Sequence, residues 1–121
     1  MVIGGAGFVG SHIVDQLLDE QPAEIIVYDN FARGTRANLQ QASSDSRVRV
    51  VDASITDIPT LRREMDGADG VFHLAALWLG ECVDDPRSAV DVNIVGTYNV
   101  IEAVRDLGVK RLVYSSSASV Y

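Results

Sequence analysis

The sequence predicts an α/β fold built on a doubly wound parallel sheet, and three observations carry that prediction. Short β-branched and apolar runs alternate with longer segments of helical period, the order expected of repeated βαβ units. Glycines stand at positions 4, 7 and 10, immediately after the first such run. An aspartate closes the second run, nineteen residues after Gly10.

Taken in order, the first strand covers 1–3 and leads into a helix over 8–20. In that helix Val9, Ile13 and Leu17, with Val14 and Leu18, recur three or four apart on one face, and Pro22 closes it. Strands follow at 24–29 and 47–51. The next helix spans 58–65, opened by Asp57 as N-cap with Pro59 in its first turn. A strand at 70–74 precedes a long helix over 87–107. Asp84-Asp85 before Pro86 marks its start, and Gly108 is the candidate left-handed residue at its end. The last strand covers 111–115. All five strands are short and apolar, as expected of strands buried on both faces.

The long helix carries Val90, Ile94, Ile101 and Val104 along one line, with Val92, Val95 and Tyr98 away from it. That apolar surface is too wide for one contact, so one face is expected on the sheet and the other against a second partner. A first strand of three residues and a last one stopping at Tyr121 read as a truncated domain.

Composition narrows the function classes. With 47% hydrophobic residues in 121, the chain can build one core, and 22% charged residues without low-complexity tracts argue against disorder. A net charge of -7 with scattered basic residues excludes a nucleic-acid surface. No apolar run approaches the roughly 20 residues that span a bilayer, so no membrane partner and a cytoplasmic location are expected. Cys82 is the single cysteine, which leaves no intrachain disulfide and no thiol partner for a metal site, so no metal is expected.

The run Gly4-Gly5-Ala6-Gly7-Phe8-Val9-Gly10 sits between a strand and a helix. The first glycine permits a tight turn, the second lets backbone approach a pyrophosphate, and the third lets helix and strand pack closely. Free N–H groups and the positive helix end then face the anion. Asp29 can accept hydrogen bonds from adenosine ribose hydroxyls, which favours NAD over a 2′-phosphorylated cofactor. Arg33 and Arg36 just downstream would partly offset that repulsion. The alternative is that Asp29-Asn30 is an ordinary turn. The fold expectation is therefore a Rossmann-type sheet, with residues 1–121 as an NAD-binding domain.

Five motifs carry a family resemblance. They are the 4–10 loop, Tyr28-Asp29-Asn30, Phe72-His73-Leu74-Ala75-Ala76, Val92-Asn93-Ile94-Val95-Gly96-Thr97 and Ser115-Ser116-Ser117-Ala118-Ser119-Val120-Tyr121. In that order the chain resembles the extended short-chain dehydrogenase/reductase superfamily, specifically its NAD-dependent nucleotide-sugar epimerase/dehydratase family. The resemblance implies a cofactor pocket from Gly4, Gly7, Phe8, Val9, Gly10, Asp29, Asn30, Ser54, Ile55, Leu74, Ala75, Ala76, Asn93 and Ser115. It puts Ser117 at the catalytic serine position. It implies a Tyr-x-x-x-Lys pair that moves the proton while NAD takes a hydride. That pair, and the domain that selects a nucleotide sugar, are expected beyond Tyr121, so this chain alone is expected to be inactive. The full-length form is expected to be a homodimer.

Several positions depart from the family pattern. Ile3 replaces a common threonine. Ser54 stands where a carboxylate would meet the adenine amino group, which weakens that recognition. Trp78 occupies a position where a polar residue often reaches the nicotinamide ribose, and 73–86 is one residue short.

Bland readings stand beside these. His73 reads as a satisfied core histidine, and His12 as solvent-facing. Asn93 either bridges backbone groups or shapes the pocket. Leu77-Trp78-Leu79 is a lid or plain loop packing, with packing the simpler reading. Two other functions fit the sequence less well, an NADP-dependent carbonyl reductase, which Asp29 opposes, and a non-catalytic dinucleotide sensor, which Ser117 opposes.

Overall fold

In the computed structural model, whose described residues are 1–120, the predicted alternation of strands and helices is present. Strands β1 (Val2–Ile3), β2 (Ile25–Asp29), β3 (Val48–Asp52), β4 (Gly70–His73) and β5 (Arg111–Tyr114) form one parallel sheet in the order β3-β2-β1-β4-β5. The chain winds from β1 outward to β3, then crosses back to β4, so the winding reverses beside β1. Val2 lies opposite Val27 and Phe72, and Ile3 opposite Tyr28 and His73. This register brings the carboxyl ends of β1, β2 and β4 to one edge, where the loops that follow them share a cleft.

Each sheet face has its own core. One gathers Ile3, Tyr28, Leu61, Met65, Val71 and Val100, beneath α2 (Ile58–Met65) and the end of the long helix. The other gathers Val2, Val14, Ile25, Val27 and Leu39, beneath α1 (Phe8–Asp19). Val2 and Ile3 go to opposite cores because successive strand residues point to opposite faces. Asp57 caps α2 by accepting from the Thr60 amide, as predicted. Gly108 has φ +68, the left-handed conformation expected at its helix end.

Strand limits move by one residue from the sequence reading, and α1 ends at Asp19. Two differences are larger. The loop after β4 contains an unforeseen helix, α3 (Leu79–Asp84), whose first turn is closed by Glu81 accepting from the Trp78 amide at 3.0 Å. The expected single helix over 87–107 is α4 (Pro86–Ala89), a π-helical segment Val90–Gly96, and α5 (Thr97–Asp106).

The apolar line read along this helix divides, with Val104 packed against the core and its other members exposed. Val90, Ile94 and Ile101 are exposed, whereas Gly96, Asn99, Val100 and Ala103 are buried. A π turn carries one residue more than an α turn, which rotates the face by about 100°. The apolar side chains of this stretch that meet the core are Val92, Val100, Ala103, Val104 and Leu107.

No helix is long and apolar enough to cross a membrane among the described residues.

Candidate functional site

A cleft of about 410 Å³ opens at the carboxyl edge of the sheet. Its floor is the glycine loop, with Gly4, Gly7, Phe8, Val9 and Gly10. Asp29 and Asn30 line one side, Ser54 and Ile55 continue it, and Leu74, Ala75 and Ala76 form the opposite wall. The fold thus brings twelve sequence-predicted positions around one cavity. Asn93, Ser115 and Ser117 lie outside its lining.

The three glycines are required for different reasons. Gly4 has φ +80, and a Cβ there would lie 2.7 Å from the Ala75 amide nitrogen. A Cβ on Gly10 would lie 2.2 Å from the Gly4 carbonyl oxygen. Both are demanded by the fold itself. Gly7 is different, because its Cβ would meet only the Gly4 oxygen, at 3.2 Å, and its φ of -73 suits any residue. What its missing side chain keeps clear is the cleft. Gly7 is also the N-cap of α1 and makes no side-chain capping bond, so the first-turn amides of α1 have no side-chain acceptor from the cap residue. An uncapped N-terminus of this kind offers donors and about half a positive charge to an anion.

Asp29 combines the two roles weighed for it. Its carboxylate is buried, at 8% exposure, and lines the cleft. One oxygen accepts from the Phe31 amide at 2.8 Å, which is the local turn, and the other from the Ala6 amide at 2.9 Å, which fixes the glycine loop. A carboxylate accepts about four hydrogen bonds, so roughly two positions remain for ligand hydroxyls.

Several supporting residues escaped the sequence reading because they act through space. The Ala6 carbonyl accepts from the Thr35 amide at 3.1 Å and from Asn38 Nδ2 at 2.8 Å, which ties the 33–38 segment onto the glycine loop. The Tyr28 hydroxyl donates to the Ser54 carbonyl at 2.8 Å, and burial pushes its pKa up to about 12. Asn99 Nδ2 donates to the Ile55 carbonyl at 3.1 Å from the other side. Ser54 Oγ itself is engaged with Thr56, at 2.8 Å from Thr56 Oγ1.

Asn93 works on the wall rather than in the cleft. Its Oδ1 accepts from the Leu77 amide at 2.8 Å and its Nδ2 donates to the Leu77 carbonyl at 3.0 Å, so one carboxamide clamps the peptide groups of a lining residue. The loop beyond is not packed away as the simpler reading had it, since Trp78 is 57% exposed and Leu79 67%. His12 is exposed. His73 is fully buried and only half satisfied. Its Nε2 lies 3.1 Å from Thr97 Oγ1, while its Nδ1 has no partner among the described residues. Burial lowers its pKa from 6.5 to about 4, so the ring is neutral near pH 7.

Ser115 continues the ladder beside β4 by donating its amide to the His73 carbonyl at 3.0 Å. Ser117 is exposed just past β5, and its carbonyl accepts from the Val120 amide. Both lie on the same edge of the sheet as the cleft. Tyr121, the last residue of the serine motif, lies outside the described residues.

Comparison with known proteins gives concordant results. The profile of the 3-beta hydroxysteroid dehydrogenase/isomerase family matches residues 1–121. A UDP-glucose 4-epimerase of Streptococcus mutans is 34% identical over 100% of the chain, which covers 36% of that enzyme. The solved dTDP-glucose 4,6-dehydratase of Streptomyces venezuelae, with NAD bound, is 38% identical with a TM-score of 0.84, over 92% of this chain and 37% of its own. The solved UDP-glucose 4-epimerase of Thermus thermophilus, in complex with NAD, is 36% identical with a TM-score of 0.84, over 96% and 36%. The chain thus spans little more than a third of the length of the relatives it matches.

Proposed function

The chain belongs to the 3-beta hydroxysteroid dehydrogenase/isomerase family, and from that premise we propose that it is the NAD-binding part of a nucleotide-sugar epimerase or dehydratase. The observation that carries the reading is Gly7. A Cβ there would meet protein only at the Gly4 oxygen, at 3.2 Å, and the residue lines the cleft at a helix N-terminus that carries no side-chain cap.

The residues present fit the cofactor. The glycine loop and the first turn of α1 would receive the pyrophosphate, Asp29 the adenosine ribose, Ser54 and Ile55 the adenine end, and Leu74, Ala75 and Ala76 the opposite side. Bound NAD supplies the hydride acceptor for transient oxidation of a sugar hydroxyl. Asn93 holds Leu77 at the rim, and Ser115 extends the sheet to the point where Ser117 can donate a hydrogen bond to the reacting oxygen. The resemblance assigns the proton transfer to a Tyr-x-x-x-Lys pair beyond residue 121, and sugar selection to a further domain. On this reading 1–121 is one domain of a larger cytoplasmic enzyme. The exposed Ile94, Tyr98 and Ile101 belong to a homodimer contact of the full-length form.

Calorimetric titration of the intact protein with NAD and NADP tests the cofactor assignment. NAD should bind more tightly, because Asp29 accepts ribose hydroxyls and repels a 2′-phosphate. Equal or tighter NADP binding would sink it and favour the carbonyl-reductase alternative. In the full-length enzyme, assayed on UDP- and dTDP-glucose, Ser117→Ala should lower turnover by about 10²-fold with NAD affinity nearly unchanged. Full activity in that folded variant would remove the serine from the mechanism.

A further inference from the structure

The cleft that would take a dinucleotide contains a carboxylate, Asp29, and lies in a chain of net charge -7. Backbone dipoles supply only partial charge against the two negative charges of a pyrophosphate. Among the described residues, Arg33 is the one cationic side chain lining this cleft.

Its position follows from the sheet order. β1 lies between β2 and β4, so the loop after β2 and the loop after β4 stand on opposite sides of the glycine loop. Arg33 belongs to the first of these. Its guanidinium carbon sits 5.4 Å from the centre of the Trp78 ring, and its Nε lies 3.9 Å from a Glu81 oxygen, both in the second. The contact therefore passes across the glycine loop.

Each end of this bridge is fixed locally. Gly34 is pressed against the loop so closely that a Cβ there would lie 2.8 Å from the Ala6 side chain and 2.9 Å from Asp29 Oδ1. On the far side the Trp78 ring folds over Gly80, where a Cβ would lie 2.7 Å from a ring carbon. Arg33 keeps 55% of its side chain accessible between these two supports.

We propose that Arg33, seated on Trp78 across the glycine loop, is a strap that closes the cleft over a bound dinucleotide and supplies the cation facing its pyrophosphate. This rests on the dinucleotide reading above. Arginine suits the role because its planar group stacks on an aromatic face while its N–H donors remain available to phosphate oxygens. A lysine would keep the charge and lose the seat.

The test is NADH release from the intact protein, followed by stopped-flow fluorescence, together with NADH affinity at low and high salt. Arg33→Ala should weaken binding about tenfold, the size of one hydrogen bond to a charged group, and flatten the salt dependence. Trp78→Leu should speed release about two- to fivefold, the size of an exposed cation–π contact, while leaving the salt dependence intact. Arg33→Lys should retain salt dependence and release quickly. Unchanged release and unchanged salt dependence in Arg33→Ala, with NADH still bound, would overturn the strap alone. Failure of the unsubstituted protein to bind NADH would overturn the dinucleotide reading and the strap with it.

Discussion

The two sides of the cleft are built on different principles. On the β1–β2 side the loop is closed on itself. Ala6 alone receives or gives bonds to Asp29, Thr35 and Asn38, and two of the three spaced glycines are fixed by clashes with neighbouring backbone. On the β4 side Trp78, Leu79 and Val83 are exposed, at 57%, 67% and 70%, and His73 Nδ1 is buried without a partner among the described residues. An anion cradle made of backbone can be completed by its own local chain. A wall that carries exposed apolar side chains calls for something further to cover it.

The largest expected effect separates packing glycines from the ligand glycine. Gly10→Val forces a side chain into the 2.2 Å gap to the Gly4 oxygen, so it should cost more than about 3 kcal/mol of stability, and denaturant unfolding would measure it. Gly7→Val should cost less, about 1–2 kcal/mol for the disfavoured N-cap residue and the 3.2 Å contact, and stay folded, yet lose NAD binding in a calorimetric titration. Retained NAD affinity in folded Gly7→Val would remove the pyrophosphate from this loop.

The β4 side should be the acid-sensitive one. His73 has a folded pKa of about 4, below the 6.5 of the unfolded chain. Between these values the unfolded state binds more protons, so stability is full above pH 6.5 and falls on acidification towards pH 4. The loss is up to about 3 kcal/mol. The carboxylates with lowered pKa values, Asp57 and Glu64 among them, begin to lose their contribution below about pH 5 as their unfolded forms protonate, so the His73 effect stands alone between about pH 5 and 6.5 and the comparison with the variant isolates it below that. Thermal unfolding of His73→Gln should be flatter over pH 4 to 6.5 than that of the parent. An identical slope would place the acid sensitivity elsewhere.

A smaller effect tests the wall itself. Asn93→Ala leaves both peptide groups of Leu77 without their side-chain partner, at about 1–2 kcal/mol, and should raise amide exchange over 77–82 without altering the glycine loop. Unchanged protection there would mean that the wall is held by α3 rather than by the clamp.

The same contrast governs what could be read without coordinates. The doubly wound sheet, the glycine loop, the Asp57 cap and the Gly108 terminus were legible, because each depends on residues a few positions apart and on fixed backbone stereochemistry. Spacing also placed Asp29 at the cleft. The Phe31 amide belongs to the local turn that the sequence offered at Asp29-Asn30, whereas the Ala6 amide could not be read from spacing, and Gly34, Asn38 and Asn99 carried no local signal. Each acts on a backbone group that only the parallel register brings near. The π segment at Val90–Gly96 was hidden for a related reason. One extra residue in a turn leaves composition and hydrophobicity unchanged, so the π segment and the close approach of Gly96 to Ile55 were decided by tertiary packing, whereas the Val100, Ala103, Val104 and Leu107 face of α5 follows the helical spacing of apolar residues along the chain.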